Sequence, residues 1–200
     1  MNLTAITELP EIMTKHYLDS LTLVQTELIG KNAAVIDVGC GAGFPGFPLK
    51  LARTDIKLTL LDSLRKRINF LTEACAKCNI SDTICVHMRA EEGGKQPKMR
   101  EKYDVAVSRA VASLPVLSEL CLPFVKKGGY FLAMKGPEPE SEIAEAKDAI
   151  RILGGTVKKV IHTDIPDTDL RHSIIVIEKT APTPAKYPRI SAKIGKEPIK

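Results

Sequence analysis

AAVIDVGCGAGFPGFPL, residues 33–49, decides the fold of this 200-residue chain. The apolar run 33–38 has the composition of a buried strand, with Asp37 near its end. Glycines follow at positions 39, 41, 43 and 46. A second apolar run, 57–61, ends in Asp62. Strand, glycine-rich turn, helix, strand and acid make the front half of a nucleotide-binding α/β domain. The glycines let the backbone turn sharply and approach a ligand where a Cβ would block it. The acid closing the second strand can accept hydrogen bonds from both hydroxyls of a ribose.

Two ligands suit such a loop. Gly41, Gly43 and Gly46 match G-x-G-x-x-G, the dinucleotide fingerprint. Asp37, Gly39, Gly41 and Gly43 match the D-x-G-x-G-x-G loop of S-adenosylmethionine enzymes. A pyrophosphate needs free backbone N–H groups at a helix N-terminus and no nearby anion. Asp37 places an anion there, and Pro45 and Pro48 remove two donors. S-adenosylmethionine has no phosphate, and its ammonium and sulfonium favour an acid beside the loop. Asp37, Gly39, Gly41 and Gly43 are therefore cofactor-binding candidates for S-adenosylmethionine. A tight turn without a ligand is disfavoured by four glycines beside two acids.

Composition bounds the rest. The length suits one domain with a full core. No apolar run approaches membrane-spanning length, so no membrane partner is expected. The start, MNLTAITELP, lacks the basic and apolar regions of a signal peptide. Five cysteines, an odd number without framework spacing, fit a cytoplasmic protein. Cys75 and Cys78 form a lone C-x-x-C inside a helical pattern, so no metal is expected. The net charge is +5, and residues 179–200 hold six basic groups against one acid. The whole excess therefore sits in a Pro-rich tail. Such a segment carries little core and suits contact with a polyanion, with a solvated tail as the alternative. With no Trp and few other aromatics, base stacking is a weak theme.

Along the chain, 14–29 has helical spacing, ending at Gly30. Within it His16 and Asp19 lie three apart on one face, where capping or packing is favoured over ligand binding. Strands are expected at 33–38, 57–61, 83–88, 103–108, 130–134, 156–162 and 173–179. Helices are expected near 46–53, 65–78, 113–125 and 140–153, with Gly128–Gly129 as a turn. The acidic loop DIPDTD separates the last two strands. The fold class is α/β: a mostly parallel seven-stranded sheet, helices on both faces and one antiparallel edge hairpin. Ligands in such sheets bind beyond the strand C-termini. Those ends are Asp37, Asp62, Arg89-Ala90-Glu91, Ser108-Arg109 and Lys135-Gly136. Three parts are expected: a helical approach (1–31), a nucleotide-binding domain (32–180) and the basic tail (181–200).

With those residues aligned, the chain resembles the bacterial 16S ribosomal RNA guanine-N7 methyltransferase G family, once called glucose-inhibited division protein B. The matching stretches are NLTAIT (2–7), KHYLDSL (15–21), VIDVGCGAGFPGFPLKL (35–51), LLDSLRKRINFL (60–71) and SRAVASL (108–114). KG (135–136), RHSIIVIEK (171–179) and YPRISAKIGKEPI (187–199) also fit. The resemblance implies a class I S-adenosylmethionine-dependent methyltransferase of Rossmann-like fold. It implies methylation of guanine N7 at position 527 of 16S rRNA, in the 530 loop of the small ribosomal subunit. The implied partner is that subunit or its assembly intermediate, met by a monomer. Gly39, Phe44, Ala90, Glu91 and Arg109 would contact S-adenosylmethionine, and Asp62 with Ser63 would hold its ribose. Two departures stand out. Family members begin with helices upstream of the N-L-T segment, where this sequence starts. The tail keeps Pro188-Arg189 and Pro198 but not the commoner P-R-x-x-G-x-P ending.

Guanine N7 carries a free lone pair at neutral pH, so methyl transfer needs alignment and no general base. Positive charge develops on the guanine, so a cation against N7 would hinder. Arg109 is accordingly a positioning residue, clamping the methionine carboxylate or an RNA phosphate. A structural pair with Asp104 or Glu91 is the competing role. Lys135, Arg171, Arg189, Lys193 and Lys196 are candidate RNA contacts. Three other functions compete. An NAD(P)-dependent oxidoreductase lacks a Tyr-x-x-x-Lys pair here, and a small-molecule methyltransferase has no use for the basic tail. An RNA-binding protein of low or no activity would keep RNA affinity without turnover.

Overall fold

The computed structural model describes residues 8–109, 111–165, 168 and 170–199. The motif at 2–7 and three positions of the DIPDTD loop lie outside those residues. A helical lead-in comprises α1 (Leu9–Ile12), a π-helical stretch (Met13–Leu18), α2 (Asp19–Leu21) and a 3-10 turn (Val24–Thr26). Then come β1 (Ala34–Val38), α3 (Gly46–Ala52), β2 (Lys57–Asp62), α4 (Arg65–Lys77), β3 (Thr83–His87), α5 (Ala90–Gly93) and β4 (Tyr103–Arg109). α6 (Leu114–Cys121), β5 (Val125–Lys135), α7 (Glu140–Ile152), β6 (Gly155–Asp164), β7 (Arg171–Lys179) and α8 (Ser191–Lys196) complete the chain.

The seven strands form one sheet in the order β3-β2-β1-β4-β5-β7-β6. β1 to β5 pair in parallel, and β7 runs antiparallel to both β5 and β6. The expected sheet and edge hairpin are what forms. The central strands are covered on both faces, which is why they read as continuous apolar runs. Side-chain alternation splits them between two cores. Ile36, Ala106 and Phe131 pack under α6 and α7. Val35, Val105 and Leu132 pack under α3 and α4. Strand order reverses between β1 and β4, which opens a crevice at their C-terminal ends. No helix among the described residues is long and apolar enough to cross a membrane.

Three local expectations change. The lead-in helix starts at Leu9 and stops at Leu21 instead of spanning 14–29. The Thr22 and Thr26 hydroxyls donate to the carbonyls of Asp19 (2.6 Å) and Leu23 (2.7 Å), and such local bonds compete with helix propagation. β5 begins at Val125, and Gly128–Gly129 lie inside it. The pair Tyr103–Val125 is followed by Val105–Tyr130, so the glycines form a bulge and not the turn before the strand.

The tail is the third. It packs, contrary to the expectation that it would carry little core. Tyr187, Ile194 and Ile199 are buried. Two of its cations are consumed internally. The fully buried Lys179 Nζ donates to the carbonyl of Leu122 (2.7 Å) and the hydroxyl of Thr183 (2.7 Å), and burial pushes its amine down to about 8. Arg189, expected to face RNA, instead clamps the buried Glu119: its Nη2 donates to Oε2 (2.6 Å), its Nε and backbone N–H to Oε1 (2.9 and 2.7 Å). Arg100 fastens the same segment by donating to the carbonyls of Thr183 (2.6 Å) and Tyr187 (2.9 Å).

Removing Arg189 would strand a buried carboxylate. Arg189→Ala is expected to lower unfolding free energy by about 3–5 kcal/mol. Lys193→Ala, at an exposed position, should change it by less than about 0.5 kcal/mol. Urea titration of both variants checks this, and equal midpoints would return Arg189 to the free surface.

Candidate active site

The glycine loop is shaped by its own hydrogen bonds. Gly39 and Cys40 donate their N–H groups to the carbonyl of Leu61 (2.9 and 3.1 Å). Gly41 N–H donates to Asp62 Oδ2 (3.0 Å), and Leu64 N–H to Asp62 Oδ1 (2.8 Å). Asp62 thus joins the loop after β1 to the start of α4. Gly39 has φ +74°, and a Cβ there would stand 2.8 Å from the Val111 side chain. Gly46 donates its N–H to Asp37 Oδ2 (2.7 Å), and a Cβ on it would come within 2.8 Å of that oxygen.

Asp37 is placed differently from expectation. It is fully buried behind the loop and is not part of the cavity wall. Its Oδ1 has no hydrogen-bond partner among the described residues. Burial pushes its carboxyl up to about 7, against the lowering effect of the Gly46 bond. Strand alternation explains the position: one residue before the strand end, the side chain points into the layer under α3 and not over the edge.

A cavity of about 670 Å³ opens where the strand ends converge. Gly39, Gly41 and Phe44 form one wall, Asp62 and Ser63 the next, and Ala90 and Glu91 the next, with Arg109 closing the ring. Gly43 belongs to the loop but not to the wall. Ser191, Ile194 and Gly195 of α8 also reach the cavity, so the tail contributes to it. Lys193 and Lys196 are exposed on the same short helix.

Arg109 pairs with neither Asp104 nor Glu91. Its Nη1 donates to Oδ2 of the buried Asp19 (2.6 Å) and its Nη2 to His16 Nδ1 (3.1 Å). An arginine only donates, so that contact makes Nδ1 an acceptor and places the imidazole proton on Nε2. Burial and the Arg109 charge lower the pKa of His16, in keeping with a neutral ring. His172 Nδ1 donates to Asp19 Oδ1 (2.7 Å), and this bond raises the His172 pKa. Burial works to raise Asp19, but the bonds from His172 and Arg109 outweigh it and hold its carboxyl below the usual range. The His16 ring stacks on Phe44 with centroids 4.7 Å apart, and the Arg109 guanidinium lies 5.2 Å from the same ring.

His16, Asp19 and His172 are the site residues that sequence reasoning undervalued. The i, i+3 spacing of His16 and Asp19 was the available signal. His172 had none, because its place depends on β7 running backwards. Lys135 also approaches the site, with Nζ donating to the carbonyl of Ala112 (2.7 Å) and pairing with Glu142 (2.7 Å). Arg171 is exposed, pairs with Asp164 (3.3 Å) and is not part of the cavity wall.

A sequence model of the family described as rRNA small subunit methyltransferase G matches residues 1–171. Ribosomal RNA small subunit methyltransferase G of Alkaliphilus oremlandii is 55% identical over all 200 residues, which span 84% of that protein. The protein of the same name from Clostridium botulinum (strain Loch Maree) is 52% identical over the same span. Among solved structures, a chain of the complex between the Haloferax volcanii Trm112 methyltransferase activator and a putative methyltransferase superimposes with a TM-score of 0.67. The match has 15% identity and covers 86% of this chain and 93% of that one. An Aquifex aeolicus S-adenosylmethionine-dependent methyltransferase matches at a TM-score of 0.60 and 17% identity, covering 84% and 93% of the two chains. These structural matches share the fold.

Asp37 makes stability fall with pH in a defined window. Its folded pKa is raised, so the native state keeps a proton that the unfolded chain gives up, and stability drops from about pH 4 to about pH 7. In Asp37→Asn that slope should vanish. The stability difference between variant and parent should shift in favour of the variant by up to roughly 4 kcal/mol between pH 4 and pH 8. Urea unfolding at both pH values measures it, with any constant offset cancelling, and parallel curves would refute the assignment.

Proposed function

The chain belongs to the rRNA small subunit methyltransferase G family, and from that premise we propose that it methylates guanine N7 at position 527 of 16S rRNA. The methyl donor is S-adenosyl-L-methionine. The protein acts as a cytoplasmic monomer on the small ribosomal subunit or its assembly intermediate.

One observation carries the choice of donor over a dinucleotide. The N–H groups of Gly39, Cys40, Gly41, Gly43, Phe44 and Gly46 all donate inside the protein. The loop therefore presents no nest of free donors to a pyrophosphate. It presents smooth backbone instead: a Cβ on Gly41 would meet nothing closer than 4.0 Å. Asp62 and Glu91 are the acids on the cavity wall, where hydroxyls need acceptors.

S-adenosyl-L-methionine, when bound, supplies a methyl group activated by its sulfonium. Asp62 and Ser63 hold the ribose hydroxyls, and Ala90 and Glu91 complete that end of the cavity. Phe44 and Gly39 line the loop side. Arg109 is neither a base nor a free clamp, since its two Nη groups already donate to Asp19 and His16. It positions the wall at the end of β4. The Asp19 carboxylate offsets its charge, which suits a base that becomes cationic as N7 is alkylated. N7 lies on the major-groove edge, closed off in an A-form helix, so the target base is unpaired or flipped out. Lys193 and Lys196 on α8, with Arg171 on β7, remain exposed for phosphate contact and give salt-dependent RNA affinity.

Asp62→Asn keeps the size of the side chain and removes its charge. It should weaken S-adenosylhomocysteine by about 1.5–3 kcal/mol, roughly 10- to 150-fold. Calorimetry on the folded variant reads this, and an unchanged affinity would move the ribose elsewhere. The substrate is tested by mapping N7-methylguanine in rRNA from cells with and without the gene. A modification at position 527 that survives loss of the gene overturns the assignment.

A further inference from the structure

A second cavity of about 320 Å³ abuts the first, and His16 and Arg109 line both. Lys15, Asp19, Met134, Lys135, Gly136 and His172 complete it. We propose that this smaller cavity is the subsite for the acceptor nucleotide, a single guanosine drawn out of the RNA. The proposal rests on the methyltransferase reading above.

Three observations support it. The first is placement. Asp62 and Ser63, at the end of β2, line only the larger cavity, whereas the shared His16–Arg109 wall stands at the end of β4. A donor anchored at the first end has its reactive end toward the second, and the acceptor must meet it there. The second is charge. Each permanent cation on the wall of the smaller cavity carries a carboxylate: Lys15 has Glu11 (2.5 Å), Lys135 has Glu142 (2.7 Å) and Arg109 has Asp19 (2.6 Å). A cavity built around a phosphate would leave such cations for the ligand. Compensated cations suit a base that must gain positive charge. The Glu11 and Glu142 side chains are 48% and 35% exposed, so flanking RNA phosphates can exchange with them at the rim while Asp19 stays buried. The third is shape. The space admits one nucleotide and not a duplex, and Met134 offers a polarizable surface to a flat ring.

Gly136 provides the test. A Cβ there would meet nothing within 4 Å and its φ is not left-handed, so a larger side chain enters open space without straining the fold. In Gly136→Val and Gly136→Phe the affinity for S-adenosylhomocysteine should be unchanged. The kcat/KM for methylation of unmodified small subunits should fall by roughly a hundredfold, more for Phe than for Val. A second readout does not depend on turnover. Small subunits reconstituted with 6-thioguanosine at the target position, irradiated with the protein, should crosslink to peptides containing Lys15–Asp19 or Met134–Gly136. Crosslinks confined to α4 or α8, or full turnover by Gly136→Phe on subunits that the parent protein methylates, would overturn the subsite alone. Absence of methyl transfer by the parent protein would overturn the function and the subsite together.

Discussion

The loop after β1 is held between two carboxylates, and the larger cavity depends on that grip. Asp37 draws in the N–H of Gly46 from beneath, and Asp62 draws in the N–H of Gly41 from the side. Between them the backbone has one course left. Glycine is required at 39 and 46 by what stands next to each, the Val111 side chain and the Asp37 carboxylate. The grip has an internal tension. Asp37 is buried with one oxygen unpartnered among the described residues, so charging it opposes folding while its other oxygen fixes the start of α3. Asp62, at the cavity wall, accepts from Leu64 N–H on Oδ1 and from Gly41 N–H and the Arg67 guanidinium (3.2 Å) on Oδ2, and its Oδ1 keeps a lone pair for a ligand.

The second knot is Asp19. It joins the lead-in helix to β4 through Arg109 and to β7 through His172, with a carboxylate only 1% exposed. Aromatic contact reinforces the seam, since His16 and Tyr17 both meet Phe44. The lead-in segment is therefore a wall of the site and not merely an approach to it. A mutation at Arg109 also disturbs a buried charge, so its effects on turnover and on stability are linked.

What the sequence made legible was local in origin. Strand runs, the glycine loop and the acid after β2 are written in consecutive residues, and the parallel sheet follows from their alternation with helices. Gly39, Gly41, Asp62, Ala90, Glu91 and Arg109 fall at one edge for that reason, while Phe44 and Ser63 come from the family resemblance. What escaped depends on partners far away in the chain. Arg189 and Lys179 read as free cations because Glu119 and the carbonyl of Leu122 lie 70 and 57 residues off. The sequence offers Arg109 acids on neighbouring strands, while the acid that binds it lies 90 residues earlier. Asp37 is close to the loop in sequence, whereas its orientation is set by strand parity.

The reversed direction of β7 has a consequence for how the protein is made. Because β7 runs against β5, its first residues, not its last, lie at the sheet edge where the other strands end. His172 reaches Asp19 from there, and Ser191, Ile194 and Gly195 of α8 then close the larger cavity. Chains emerge from the ribosome N-terminus first, and domains fold as units during that emergence. The glycine loop and its two acids are complete once residue 62 is out, yet Asp19 waits for residue 172 and the cavity for residue 195. A nascent chain thus holds its glycine loop long before it has a finished site, and the cavity closes only after residue 195 has emerged.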